Sequence, residues 1–175
     1  GMGQSFGTAT REKSSGNFTE NNFLYDSILD FTFLVFWKKD SLHVAEMRMK
    51  NRPNSNLEID IKHNRVQRVD YIVGSGQHTN SHIFSEGGYL FQAPFTYYTQ
   101  SGKLDFPPGF EGGNNARFSR IIGLACMSCH NAMPTAFVEG SENKFEKVPN
   151  GIDCERCHGP GSLHVAKIGR NQITD

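Results

Sequence analysis

A chain of 175 residues, 37% hydrophobic and 21% charged, is long enough to bury one modest core and too apolar for a disordered segment. Its 18 Lys and Arg balance 18 Asp and Glu, which leaves no charge excess to drive sequence-independent binding to nucleic acid or to an anionic membrane. The longest dense apolar run, Phe31 to Trp37, falls far short of the roughly 20 residues a spanning helix needs, so no transmembrane segment is expected.

The opening GMGQSF has neither a basic n-region nor an apolar h-region, so no signal peptide is expected within this chain. Gly1-Met2 reads as an appended start ahead of an excised piece of a longer protein. The expected organisation is a single domain over 1–175, with a β-rich subregion at 23–106 and a cysteine-bearing subregion at 107–175.

Strand patterns begin with FTFLVFW, which KKDS connects to LHVAEMRMK in a hairpin. Ala45, Met47 and Met49 share one face of its second arm, and Glu46, Arg48 and Lys50 the other. LEIDIK then alternates Leu57, Ile59 and Ile61 inward, and VDYIV continues with Val69, Tyr71 and Val73. After GSGQHTNSH, the stretch GYLFQAPFTYYT sets Tyr89, Phe91, Ala93, Phe95 and Tyr97 on one face, and its aromatic content favours strand over helix.

Beyond residue 106, DFPPGFEGGNNARF reads as a long loop from its Pro, Gly and Asn content, while IIGLACMSCH and SLHVAKIG allow only short helices. The fold class predicted is α+β: an antiparallel β-rich N-terminal half followed by a loop-rich, short-helix half. A half of that kind buries little of its own apolar surface and needs a staple or a large prosthetic group.

All four cysteines fall in two C-x-x-C-H motifs, Cys126-Cys129-His130 and Cys154-Cys157-His158. This is the attachment signature of haem c: two thiols add to the two porphyrin vinyl groups, and the adjacent histidine ligates the iron. Two covalent sites are therefore expected. Two Cys-x-x-Cys pairs could also make a four-cysteine zinc knuckle supporting an interaction module, and zinc remains an occupant of unmatured chain. With His at 7 of 175 positions, however, a histidine after both pairs by chance has odds of about 0.2%. Thiol–disulfide exchange is the weakest reading, because no βαβ unit accompanies the motifs.

The haem reading requires a group on the far side of each iron. His164 lies six residues after His158, too few to carry it round its own haem, so as a ligand it would serve a neighbouring one. His78 and His82 lie on one face if their spacer is helical, and either is then a candidate ligand. His43 is expected to be packed and His63 to lie in a solvated turn. Met127 and Met133 are expected as core filler, and Lys38, Lys39, Arg117 and Arg120 as solvated charges. The aromatic face bearing Phe91 and Phe95 is expected to wall the haem pair. GSG at 74–76 lacks the rest of any nucleotide-binding fingerprint and reads as turn chemistry.

GIDCERCHGPGSLHV, with VDYIVGSGQHTNSH, YLFQAPFTYYTQSGKLDFPPGF and RFSRIIGLACMSCHNAMP, resembles the multihaem c-type cytochromes of the cytochrome c554-like group. The likeness is greatest to bacterial members whose haem domain precedes tetratricopeptide repeats, and it runs from about Gly3 to Lys167. It implies extracytoplasmic, for example periplasmic, electron transfer through closely packed haems, with a redox partner protein or a neighbouring haem domain. By the same resemblance, His164 matches the histidine after Gly-Pro-Gly that ligates a different haem. Relatives commonly carry three or more motifs where this chain has two. The residues name no acid, base or substrate clamp, which favours an electron carrier over a reductase or oxidase of a small nitrogen or sulfur species.

Overall fold

In the computed structural model, residues 2–49, 61–132 and 137–168 are described, and they build the expected α+β architecture from two antiparallel sheets and three short helices. Strands β1 (Phe6–Thr8), β6 (Tyr71–Val73), β7 (Thr79–Glu86), β8 (Tyr89–Tyr98) and β9 (Lys103–Asp105) form one sheet in the order β1-β6-β7-β8-β9. The other, in the order β2-β3-β4-β5, comprises β2 (Phe23–Asp26), β3 (Phe31–Lys38), β4 (Ser41–Met49) and β5 (Ile61–Arg68). Helices α1 (Leu124–His130) and α2 (Glu155–His158, capped by Cys154) bear the two cysteine motifs, and α3 (Gly161–Ile168) follows them. Among the described residues, no helix is long and apolar enough to cross a membrane.

The β3–β4 hairpin follows the sequence pattern but closes more tightly, because Lys38 pairs with Ser41 and leaves only Lys39 and Asp40 in the turn. Lys39 takes φ of +55° there. Alternation on β3 sends Phe31, Phe33 and Val35 inward, where they meet Leu42 and Val44 of β4 and Ile72, Phe84, Ala93 and Phe95 of the facing sheet. Each of the buried Phe, Val, Leu and Ile side chains among them contributes roughly 1.5–3 kcal/mol by leaving water. Residues 57–60 of LEIDIK lie outside the described residues.

The chain enters the five-stranded sheet through β1, which pairs with β6 in the register Phe6↔Val73. Two expectations are corrected here. His63 lies on β5 rather than in a turn, with Nε2 2.9 Å from Glu46 Oε1. Arg117 is not a solvated charge: its Nε donates to Glu46 Oε2 at 2.6 Å, and Nη2 donates to Oε1.

Glu46 is wholly buried beside Leu42 and Val44, although its face of β4 reads as the polar one. Burial alone would raise its carboxyl pKa, but the bonds from Arg117 and His63 outweigh that and hold it below the usual carboxylate range. Isolated, such a carboxylate would not stay ionised inside a core; two donors make it tolerable.

VDYIV is buried on both sides. Ile72 enters the core between the sheets, while Tyr71 and Val73 pack on a second cluster of Phe6, Ile83, Leu90, Ile122, Met127 and Phe145. That cluster joins the outer face of the five-stranded sheet to the cysteine-bearing half. Phe91 and Phe95 face the other way, into the inter-sheet core, so the aromatic face does not wall the cysteine motifs. The wall is made by Phe6, Val73, Ile83 and Leu90 instead.

Candidate haem-attachment site

α1 begins where Gly123 allows the side chain of Asn143 to come close: Leu124 N–H donates to Asn143 Oδ1 at 3.2 Å, and a Cβ on Gly123 would sit 2.5 Å from that oxygen. The neighbouring segment thus satisfies one of the donors that a helix start leaves open. Met127 anchors the helix by burying itself in the second cluster, as its expected role of core filler requires. Met133 lies outside the described residues.

Cys126, Cys129 and His130 occupy helical positions i, i+3 and i+4, which share one face. All three are exposed. Cys126 and His130, with Met127 between them in sequence, border an open cleft of about 180 Å³ floored by Phe6, Val73, Ser81, Ile83, Gln92 and Ile122. That volume is below the roughly 300 Å³ of a pocket that engulfs a small molecule, so the cleft is an open surface groove rather than an enclosing pocket.

The second motif repeats the pattern on a shorter element. Asp153 Oδ1 accepts the Arg156 N–H at 3.0 Å, and Cys154, Cys157 and His158 follow as i, i+3 and i+4, with the His158 N–H on Cys154 O at 3.0 Å. Gly159, at φ of +75°, ends α2, and Pro160 separates it from α3. Glu155 Oε1 accepts the Gly161 N–H at 2.7 Å, tying the two short helices together.

The structure brings the two motifs side by side through residues that the sequence reading did not single out. Asn131, directly after His130, is wholly buried, and its Nδ2 donates to Pro149 O at 2.5 Å. Ala132 N–H donates to Gly151 O at 2.7 Å. Arg156 of the second motif donates to Ser128 O on α1, and Ser5 Oγ donates to His130 O at 3.3 Å. The only signal in the sequence was the place of Asn131 behind the motif, and nothing there pairs it with residue 149.

The candidate distal histidines are placed differently from expectation. No helix joins His78 to His82: residues 74–78 form a bent loop in which Gly74 takes φ of +108°, and a Cβ there would meet Thr79 O at 2.2 Å. His78 is exposed, with Nδ1 2.8 Å from Gln100 Nε2. His82 lies on β7 between Ser81 and Ile83, and those two face the α1 cleft, so His82 points to the opposite side of the sheet.

There its ring stacks on Phe95 at 4.1 Å and meets Phe18 edge-on, and neither nitrogen has a partner. It sits opposite Ala93, Pro94 and Phe95, where the β7–β8 register shifts and Pro94 has no N–H to offer. Burial pushes its pKa down to about 3. His82 is a core residue. His164 lies on α3, and its side chain is outside the described residues. His43, half-buried, stacks on Phe36 at 5.6 Å.

Two occupants can be tested against this arrangement. A tetrathiolate zinc site needs four sulfurs converging on one point, but among the described residues no three His, Cys, Asp or Glu side chains gather as metal ligands would. A haem at each motif needs two thiols and one histidine on the same turn and an apolar surface to lie against. Both motifs present the former, all four cysteines being free and exposed, and the second cluster borders the latter. On α2 and α3 no described side chain is buried, and Leu163, Val165 and Ile168 are 69%, 68% and 52% exposed.

Comparison with protein-family models, with curated proteins and with solved structures finds no match to this chain.

Proposed function

We propose that this chain is a dihaem module of a multihaem c-type cytochrome that carries electrons outside the cytoplasm. One observation carries the reading: two C-x-x-C-H triplets, each with exposed thiols and histidine on a single helical turn, are clasped next to each other on a folded β-sandwich.

Cys126 and Cys129 would hold one haem by thioether bonds, with His130 as proximal ligand, and Cys154, Cys157 and His158 would hold the other. When bound, each haem supplies a reversible one-electron iron couple. The protein's part is to place and shield. Met127 fixes α1 to the sheet, Phe6, Val73 and Ile83 offer an apolar bed beside Cys126, and the inter-motif hydrogen bonds hold the second motif against the first. Cytochrome c maturation is completed outside the cytoplasmic membrane, hence the proposed periplasmic or cell-surface location and a redox protein or neighbouring haem domain as partner.

The test is expression in a host whose periplasm carries the haem-attachment machinery, followed by a denatured pyridine-haemochrome spectrum and an intact mass. Two covalent haems per chain are expected. Colourless chain from competent cells would end the electron-transfer reading. Binding of carbon monoxide or turnover of nitrite by the reduced protein would move the assignment from carrier to enzyme.

A further inference from the structure

The hydrogen bonds between the motifs are unevenly distributed over the chain, and that unevenness points to one residue. Among the described residues of 107–175, the buried polar side chains are Asn115, which bonds to Asp26 of the sandwich, and Asn131. Of these two, Asn131 makes its bonds within the cysteine-bearing half. Its backbone N–H closes α1 onto Met127 O at 2.9 Å, its Oδ1 accepts the Ala132 N–H at 2.9 Å, and its Nδ2 reaches Pro149 O. One residue therefore ends the first motif's helix, shapes the residue after it and grips the segment leading into the second motif.

That segment has little freedom to move independently. Gly151, at φ of +73°, packs so closely that a Cβ would lie 2.1 Å from Gly3 O, and its own carbonyl accepts the Ala132 N–H. Cys154 follows Pro149 within a short stretch of chain, so the position of the Pro149 carbonyl largely sets where the second motif starts. Arg156 then contacts α1 at Ser128 O. Asn131 is wholly buried, so losing its acceptor would leave a desolvated amide donor unpaired, which makes the Asn131–Pro149 bond costly to break and hence able to hold a distance.

We propose that Asn131 is a positioning residue that fixes the separation and mutual orientation of the two C-x-x-C-H motifs, and through them the coupling between the two haems. This rests on the dihaem reading above. Electron exchange between centres depends on their spacing, so a clamp that is buried, neutral and outside the attachment chemistry is suited to hold that spacing without altering either iron's ligands.

The experiment compares matured wild-type chain with Asn131→Ser, which keeps a small polar side chain but cannot reach Pro149, and with Asn131→Leu, which keeps the volume and removes the hydrogen bonds. Intact mass counts haems first, and pulsed EPR then measures the distance between the two ferric irons. The expected result is two haems in all three proteins, one narrow distance in the wild type, and a displaced, broadened distribution in both variants. Fewer than two haems in the wild type overturns the dihaem reading and this inference with it. Two haems in every protein with an unchanged distance overturns the role of Asn131 alone, whatever the variants do to thermal stability. Should Asn131→Leu fail to fold, the distance in Asn131→Ser decides the matter.

Discussion

The sandwich and the cysteine-bearing half solve the burial problem in opposite ways. Between the sheets, Phe33, Val35, Leu42, Val44, Ile72, Phe84 and Phe95 are all lost to solvent, and the buried carboxylate beside them, Glu46, is paired by Arg117 and His63. In the other half, α1 is secured mainly by Met127, while α2 and α3 show exposed cysteines and an exposed Leu163, Val165 and Ile168. One half is finished by its own side chains. The other leaves apolar side chains uncovered, and its described contacts are a few hydrogen bonds and one small cluster.

The largest expected effect therefore belongs to the sandwich. Phe33→Ala, at a wholly buried position packed against Phe31, Phe106 and Phe118, should cost about 3–5 kcal/mol in denaturant unfolding whether or not haem is attached. A loss below about 1 kcal/mol would show that this core is not close-packed.

Next comes the response to acid. His82 is neutral and buried, with a pKa of about 3 against an ordinary value of 6.5. The unfolded chain takes up a proton below pH 6.5 and the folded chain does not, so stability is greatest above pH 6.5 and falls progressively as the pH drops towards 3. By pH 5 the linked loss is about 2 kcal/mol from the roughly 1.5 units traversed. His82→Leu should flatten the stability–pH profile between about pH 6.5 and 4.5 while leaving the steeper loss at lower pH, where Glu46 is protonated. An unaltered slope in the variant would mean that His82 titrates freely and is not enclosed by Phe18 and Phe95.

The smallest effect sharpens the contrast most. Leu163→Ala in chain without haem should change stability by no more than about 0.5 kcal/mol, because that side chain has little burial to lose. In matured protein the same substitution should destabilise measurably and shift the haem absorption envelope. Equal effects in both forms, judged by thermal melts of the two preparations, would remove the idea that α3 is a surface awaiting a cover.

The β-rich subregion was legible in outline because period-two alternation survives in FTFLVFW and GYLFQAPFTYYT whatever lies across from them. What could not be read was which side a two-faced strand turns to which neighbour. Phe91 and Phe95 looked like a wall for the motifs and instead fill the space between the sheets, since the five-stranded sheet is covered on both faces and sequence alternation does not say by what. Glu46 misled for a related reason: a charged residue reads as exposed unless its partners are known, and Arg117 lies 71 residues away. His78 and His82 were candidates on an assumed helical spacer, but a glycine-led bend and a β7 strand separated them onto unrelated surroundings.

By itself the sequence determined the local chemistry: two triplets of thiol, thiol and imidazole at a spacing that a helical turn gathers onto one side, and strands whose inward residues are aromatic and branched. These depend on neighbours within a few positions, where covalent geometry leaves little choice. Only the tertiary structure decided that Asn131 grips Pro149, that His82 turns away from the cysteines, and that Glu46 is buried and paired. Such outcomes rest on long-range contacts, in which each group's environment is made by residues far along the chain, and no local pattern records who the partner will be.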